Sequence, residues 1–127
     1  MSNIYWADGE FIPKEQAKIS PLTHTLHYGL GAFEGVRSYQ SHDGKKSLIF
    51  RLVDHTKRLL ESAKIIGVDV DYSLDQLIKA QIEVVKRSKL TNSYIRPLVY
   101  IGSERLGLDI IDIDRHVMIS CIEWPNY

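Results

Sequence analysis

Residues 52–90 read LVDHTKRLLESAKIIGVDVDYSLDQLIKAQIEVVKRSKL, and this stretch encodes two consecutive amphipathic helices. Between residues 52 and 66, apolar side chains recur at helical spacing, and Gly67 stands where helices often end in a left-handed residue. The segment Ser73-Leu-Asp-Gln76 predicts the start of the second helix, because a serine and a glutamine three residues apart form a capping box. Two helices joined by a short connection therefore form the middle of the chain.

Strand-forming segments lie on both sides of these helices. Residues 4–12 are typical of a hairpin, since Asp8-Gly9 between two apolar arms strongly favours a type I′ turn. The other segments rich in strand formers are residues 33–39, 47–51, 93–101 and 116–123. This order predicts an α+β fold with a mostly antiparallel sheet and two main helices packed on one side. A chain of 127 residues has room for one such domain.

Composition places the chain among ordinary globular proteins. Apolar residues make up 44% and charged residues 25%, which excludes a disordered, collagen-like or disulfide-rich chain. Sixteen basic residues balance sixteen acidic ones, so we expect neither nucleic acid nor a membrane as a partner. The N-terminal sequence lacks the pattern of a signal peptide, and the expected location is cytoplasmic.

Metal binding and cysteine chemistry find little support in the sequence. His24 and His27 lie three residues apart with no acidic or cysteine partner nearby, so we predict structural hydrogen bonds and no metal site. Cys121 is the single cysteine and lies in an apolar segment, where it is expected to be a small core residue rather than a nucleophile.

Two strand segments combine aromatic side chains with an arginine on one face. Residues two apart in a strand point to the same side, which groups Phe33, Gly35 and Arg37, and likewise Tyr94 and Arg96. Arginine can bind a carboxylate or phosphate through two parallel hydrogen bonds, and glycine leaves room for a close approach. An anion-binding surface is one interpretation, and a solvated face with incidental arginines is the other.

Two further residues are interpreted from their local setting. Pro97 lies within the strand segment 93–101, and proline cannot donate a hydrogen bond to a strand ladder. We therefore expect that strand to lie at a sheet edge or to carry a bulge. Arg58 follows the apolar positions of the first helix, where composition alone indicates an ordinary solvated side chain.

Four motifs together resemble one enzyme family. They are His27-Tyr28-Gly29, Phe33-Glu-Gly-Val-Arg37, Arg58-Leu59 followed by Ser62-Ala-Lys64, and Tyr94-Ile-Arg-Pro97. In this order and spacing, they resemble the N-terminal domain of branched-chain amino acid aminotransferases, which are pyridoxal-phosphate enzymes of fold type IV. The resemblance covers essentially the whole chain and implies the small α+β domain of that group.

The resemblance implies a role for each matched residue. Arg58 would contact the phosphate of pyridoxal 5′-phosphate, and Tyr94 with Arg96 would hold the side-chain carboxylate of glutamate. The residues that would bind substrate are Phe33, Gly35, Arg37, Tyr94, Arg96, Trp124 and Tyr127. Tyr28 and Leu108 would reach the active site of a partner subunit. A homo-oligomer is therefore implied, either a dimer or a hexamer of dimers.

The implied reaction transfers the amino group of leucine, isoleucine or valine to 2-oxoglutarate, as in branched-chain amino acid biosynthesis. No catalytic residue is assigned in this chain, because the Schiff-base lysine of the family lies in a C-terminal domain outside it. We therefore expect the 127-residue chain alone to be inactive. The alternatives are another fold type IV enzyme, such as a D-amino acid aminotransferase or an aminodeoxychorismate lyase, and a non-catalytic binding or dimerisation module.

Overall fold

Strands and helices alternate in blocks along the chain. The computed structural model describes residues 3–102, 106–107 and 114–125. The described elements are β1 (Ile4–Ala7), β2 (Glu10–Pro13), a short 3-10 helix (Lys14–Gln16), α1 (His24–Tyr28), β3 (Gly31–Phe33), β4 (Val36–Gln40), β5 (Ser47–Ile49), α2 (Leu52–Ile65), α3 (Leu74–Ser88), β6 (Ser93–Ile101) and β7 (Arg115–Glu123). None of the helices in these ranges is long and apolar enough to cross a membrane.

The seven strands form one antiparallel sheet. Its order is β2-β1-β7-β6-β4-β5, and β3 also pairs with β6, beyond the end of β4. Helices α2 and α3 cover one face, where Ile95 of β6 and Ile119 of β7 are fully buried together with Leu59 and Leu77 of the helices. The predicted α+β fold with two main helices on one side is confirmed.

The hairpin of β1 and β2 forms where the sequence predicts it. Asp8 has a φ of 48° and Gly9 a φ of 93°, the pair of positive values that a type I′ turn requires. The Asp8 carboxylate accepts a hydrogen bond of 2.8 Å from the Val117 backbone N–H. This bond attaches the turn to strand β7.

The predicted capping box is present at the start of α3. The Ser73 hydroxyl oxygen accepts a hydrogen bond of 3.1 Å from the Gln76 N–H, and the Gln76 side chain accepts one of 2.8 Å from the Ser73 N–H. Each bond satisfies a backbone donor that the first turn of a helix otherwise leaves unpaired.

Replacing Ser73 by alanine is expected to lower the free energy of unfolding by about 1 kcal/mol, because it removes one of these caps. Urea unfolding followed by circular dichroism measures the change. The control is Ser73→Asp, which keeps a side-chain acceptor and is expected to cost much less. Equal losses in the two variants would contradict a capping role.

The expectation that Pro97 marks an edge strand or a bulge is wrong. Strand β6 lies in the interior of the sheet, between β7 on one side and β3 with β4 on the other. The two shorter strands keep a single register against β6, which places Glu34 opposite Pro97. Because the Glu34 N–H donates to the Pro97 carbonyl, the missing donor of Pro97 falls at the interruption of residues 34–35, between β3 and β4.

Candidate active site

The face of the sheet opposite α2 and α3 carries the predicted anion-binding residues. Directly opposed residues of antiparallel strands share a face, and Arg37 is opposite Tyr94 while Phe33 is opposite Leu98. In the same register, Arg96 falls opposite Gly35. Phe33, Gly35, Arg37, Tyr94 and Arg96 therefore lie on one side, away from the helices, as predicted.

Arg96 is held in place by aromatic groups. Its guanidinium lies 4.1 Å from the centre of the Phe33 ring, and its Nη2 donates a hydrogen bond of 2.6 Å to the Tyr94 hydroxyl. The Arg96 Nε is buried and has no hydrogen-bond partner within the described ranges, and no ion pair described there involves Arg96. An oriented cation without a carboxylate partner is suited to bind the carboxylate of a ligand.

Tyr94 is confined from two sides. Its ring stacks on Trp124, with the ring centres 4.7 Å apart and an angle of 28° between the planes. A Cβ atom at Gly35 would overlap the Tyr94 hydroxyl and lie 2.9 Å from its Cζ. The absence of a side chain at residue 35 therefore makes the position of the Tyr94 ring possible.

Arg37 contributes a second guanidinium to the same face. It lies 5.1 Å from the centre of the Tyr39 ring, and its Nε is buried without a partner among the residues that the structure places. Phe33, in contrast, is 56% exposed, so the aromatic wall of this face is open to a ligand or to another surface. Of the residues predicted to bind substrate, Tyr127 lies outside the described residues.

Arg58 is more than the solvated helical side chain that composition alone indicates. Its Nε lies 3.1 Å and 2.9 Å from the two carboxylate oxygens of Glu34, and its Nη2 lies 2.7 Å from Glu34 Oε1. The Arg58 side chain nevertheless remains 65% exposed. It lines a cavity of about 260 Å³ together with Arg51, Asp54 and His55, which all belong to the start of α2 or its cap.

Glu34 was missed by the sequence analysis as a member of the site. Its side chain is 7% exposed, and its Oε1 also accepts a hydrogen bond of 2.8 Å from His55 Nδ1. Burial by itself raises the pKa of Glu34, but the hydrogen bonds and charges of Arg58 and His55 outweigh burial and hold the pKa below its usual value. Strand alternation offered a signal, because Glu34 shares the helix-covered face with Val36, and a charged residue in such a position needs a partner.

The remaining candidates of the sequence analysis lie around α1 and in the core. His24 Nε2 is 2.7 Å from the Gly107 carbonyl oxygen and His27 Nε2 is 2.7 Å from that of Pro21, so both histidines form structural hydrogen bonds, as predicted. Tyr28 is 38% exposed on α1, whereas Leu108 lies outside the described residues. Cys121 is buried in the core, and burial raises the pKa of its thiol, which disfavours the reactive thiolate.

Comparison with known proteins identifies the family. The family described as Amino-transferase class IV matches residues 31–127. A branched-chain-amino-acid aminotransferase of Pseudomonas aeruginosa is 43% identical over 124 residues, which are 98% of this chain and 40% of that protein. The chain spans about two fifths of the length of the curated relatives it matches.

Solved structures give the same answer. A branched-chain aminotransferase of Thermoproteus uzoniensis, solved with norvaline, superposes with a TM-score of 0.91 at 40% identity and covers 98% of this chain and 42% of its own. A second branched-chain amino acid aminotransferase, from T.th. and complexed with N-(5′-phosphopyridoxyl)-L-glutamate, gives a TM-score of 0.90 at 39% identity, over 97% of this chain and 42% of its own. The fold is therefore that of the corresponding part of these enzymes, and the chain belongs to the class IV aminotransferase family.

Proposed function

We propose that the full-length protein is a pyridoxal-phosphate-dependent branched-chain aminotransferase that transfers the amino group of leucine, isoleucine or valine to 2-oxoglutarate. In this proposal, residues 1–127 are the N-terminal small domain, and a C-terminal domain carries the cofactor lysine. The observation that carries the proposal is Arg96, an oriented cation with no acidic partner in the described ranges, set among the aromatic rings of Phe33 and Tyr94. The chain alone is expected to be inactive.

This arrangement suits a site that accepts both apolar and acidic side chains. The rings of Phe33, Tyr94 and Trp124 provide an apolar wall for a branched aliphatic side chain. Arg96 and the Tyr94 hydroxyl provide donors for the second carboxylate of glutamate. The two structural relatives support this interpretation, since one was solved with norvaline and the other with a phosphopyridoxyl derivative of glutamate.

The cavity beside Arg58 fits the phosphate group of the cofactor. Arg51, His55 and Arg58 line it, and the described bonds of Arg58 to Glu34 use Nε and Nη2, which leaves Nη1 outside that ion pair. In this proposal, Arg58 donates to the phosphate, while Phe33, Gly35, Arg37, Tyr94, Arg96, Trp124 and Tyr127 surround the substrate. When bound, pyridoxal phosphate acts as the electron sink that makes the Cα proton of the amino acid transferable.

A homo-oligomer completes the proposal. Exposed apolar side chains surround α1: Leu22 is 43%, Leu26 62% and Tyr28 38% exposed. Such a patch is typical of an interface, and we place Tyr28 and Leu108 at the active site of a partner subunit in a dimer or a hexamer of dimers. A cytoplasmic location belongs to the same proposal.

The test is a transamination assay of the full-length protein with leucine, isoleucine or valine as amino donor and 2-oxoglutarate as acceptor. Formation of glutamate and of the branched-chain oxo acid is the expected result. Activity on D-alanine but not on L-leucine would instead identify a D-amino acid aminotransferase. Conversion of aminodeoxychorismate without transamination would identify a lyase, and no turnover of any of these substrates would favour a non-catalytic module.

A further inference from the structure

Glu34 is the one carboxylate among the described residues whose side chain is buried in the interior. Such a charge is costly unless partners compensate it. Here the partners are Arg58, which makes a two-point contact with both carboxylate oxygens, and His55 on the preceding turn of α2. The family resemblance assigns Arg58 a contact but gives Glu34 no task.

The ion pair constrains an arginine that would otherwise be free to move. The Arg58 side chain is 65% exposed, whereas that of Glu34 is 7% exposed and belongs to the chain segment that joins β3 to β4. A long exposed side chain normally samples many rotamers, and an oriented hydrogen-bonding partner removes that freedom before a ligand binds. The buried carboxylate therefore orients the guanidinium at the wall of the 260 Å³ cavity.

We propose that Glu34 is a positioning residue, which holds the Arg58 guanidinium in the orientation that receives the phosphate of the cofactor. The inference rests on the proposed function, because it takes a phosphate group as the ligand of this cavity. His55 supports the arrangement through its hydrogen bond to the same Glu34 oxygen.

Electrostatics alone argues for the opposite effect, which makes the inference testable. A carboxylate close to a phosphate binding site repels the phosphate, so neutralising Glu34 would strengthen phosphate binding if charge were all that mattered. If Glu34 acts by positioning Arg58, neutralisation weakens phosphate binding. The sign of the change therefore separates the two roles.

The experiment compares the affinities of the full-length protein for pyridoxal 5′-phosphate and for pyridoxal, which lacks the phosphate, by equilibrium dialysis. Glu34→Gln is expected to reduce the preference for the phosphorylated form about tenfold, with little change in pyridoxal binding. Glu34→Asp, which keeps the charge but withdraws it by one methylene, is expected to cause a smaller loss in the same direction. The control is Glu61→Gln, an exposed acidic position on the same helix, which is expected to change nothing.

Each outcome decides a different statement. A wild-type protein that binds the two forms equally contradicts the assignment of a phosphate to this cavity, and with it that part of the proposed function. If the wild-type protein prefers the phosphate form and folded Glu34→Gln or Glu34→Asp keeps or increases this preference, the positioning role is wrong. Loss of the preference in a folded Glu34 variant, with Glu61→Gln unchanged, supports it. Circular dichroism establishes that each variant is folded, and Glu34→Asp decides the question if Glu34→Gln does not fold.

Discussion

Replacing Arg96 by alanine in the full-length protein is expected to lower kcat/KM for glutamate by about 10- to 100-fold and that for leucine far less. The expected loss corresponds to the roughly 1.5–3 kcal/mol typical of a hydrogen bond to a charged group. Only glutamate brings a second carboxylate to the guanidinium, which the described residues leave without an acidic partner. Steady-state kinetics with each amino donor measures the difference.

A second substitution at this position separates charge from packing. Arg96→Met keeps an unbranched side chain over the Phe33 ring, where the guanidinium now lies at 4.1 Å, but it removes the donors. We expect leucine turnover to remain close to that of the unmodified protein, while glutamate turnover falls as in the alanine variant. Equal losses for leucine and glutamate in both variants would contradict the role of Arg96 in binding the side-chain carboxylate.

Replacing Gly35 by alanine is expected to impair both substrates. The added methyl group would overlap the Tyr94 hydroxyl, and Tyr94 cannot move aside easily because Trp124 stacks on its ring and Arg96 donates to its hydroxyl. Overpacking of this kind typically costs about 1–3 kcal/mol. If that cost appears in substrate binding, kcat/KM falls by roughly 5- to 150-fold for leucine and glutamate alike.

The matched control is the double variant Gly35→Ala with Tyr94→Phe. Removing the hydroxyl relieves the closest overlap, although the ring carbon Cζ would still lie 2.9 Å from the new methyl group. We expect partial recovery for leucine and none for glutamate, because the Tyr94 hydroxyl also contacts Arg96. A Gly35→Ala variant with unchanged kinetics would show that the space at residue 35 is not required.

The open face of the sheet could be predicted because strand alternation is a local property. Spacing by two groups Phe33 with Arg37 and Tyr94 with Arg96, and antiparallel pairing then brings the two groups together. Glu34 could not be assigned a partner in this way. Its ion pair joins residues 24 positions apart, and it depends on how α2 packs against the sheet.

The error at Pro97 has a related cause. The rule that proline belongs at a sheet edge considers one strand, whereas the ladder depends on both neighbours. Here the neighbour is itself interrupted at residues 34–35, so an interior strand tolerates a residue without an N–H. The phosphate-contact role of Arg58 came only from the family resemblance, since nothing in its helical surroundings distinguishes it from a solvated arginine.

The interruption between β3 and β4 limits how the length of this segment can vary. Surface connections usually accept insertions and deletions, but β3 and β4 pair with β6 in one continuous register across residues 34–35. Inserting a single residue there would reverse the faces of everything on one side of the insertion. Glu34 would then turn away from Arg58, or Arg37 would turn into the helix-covered core. This dipeptide is therefore a connection whose length is fixed, even though it belongs to neither strand.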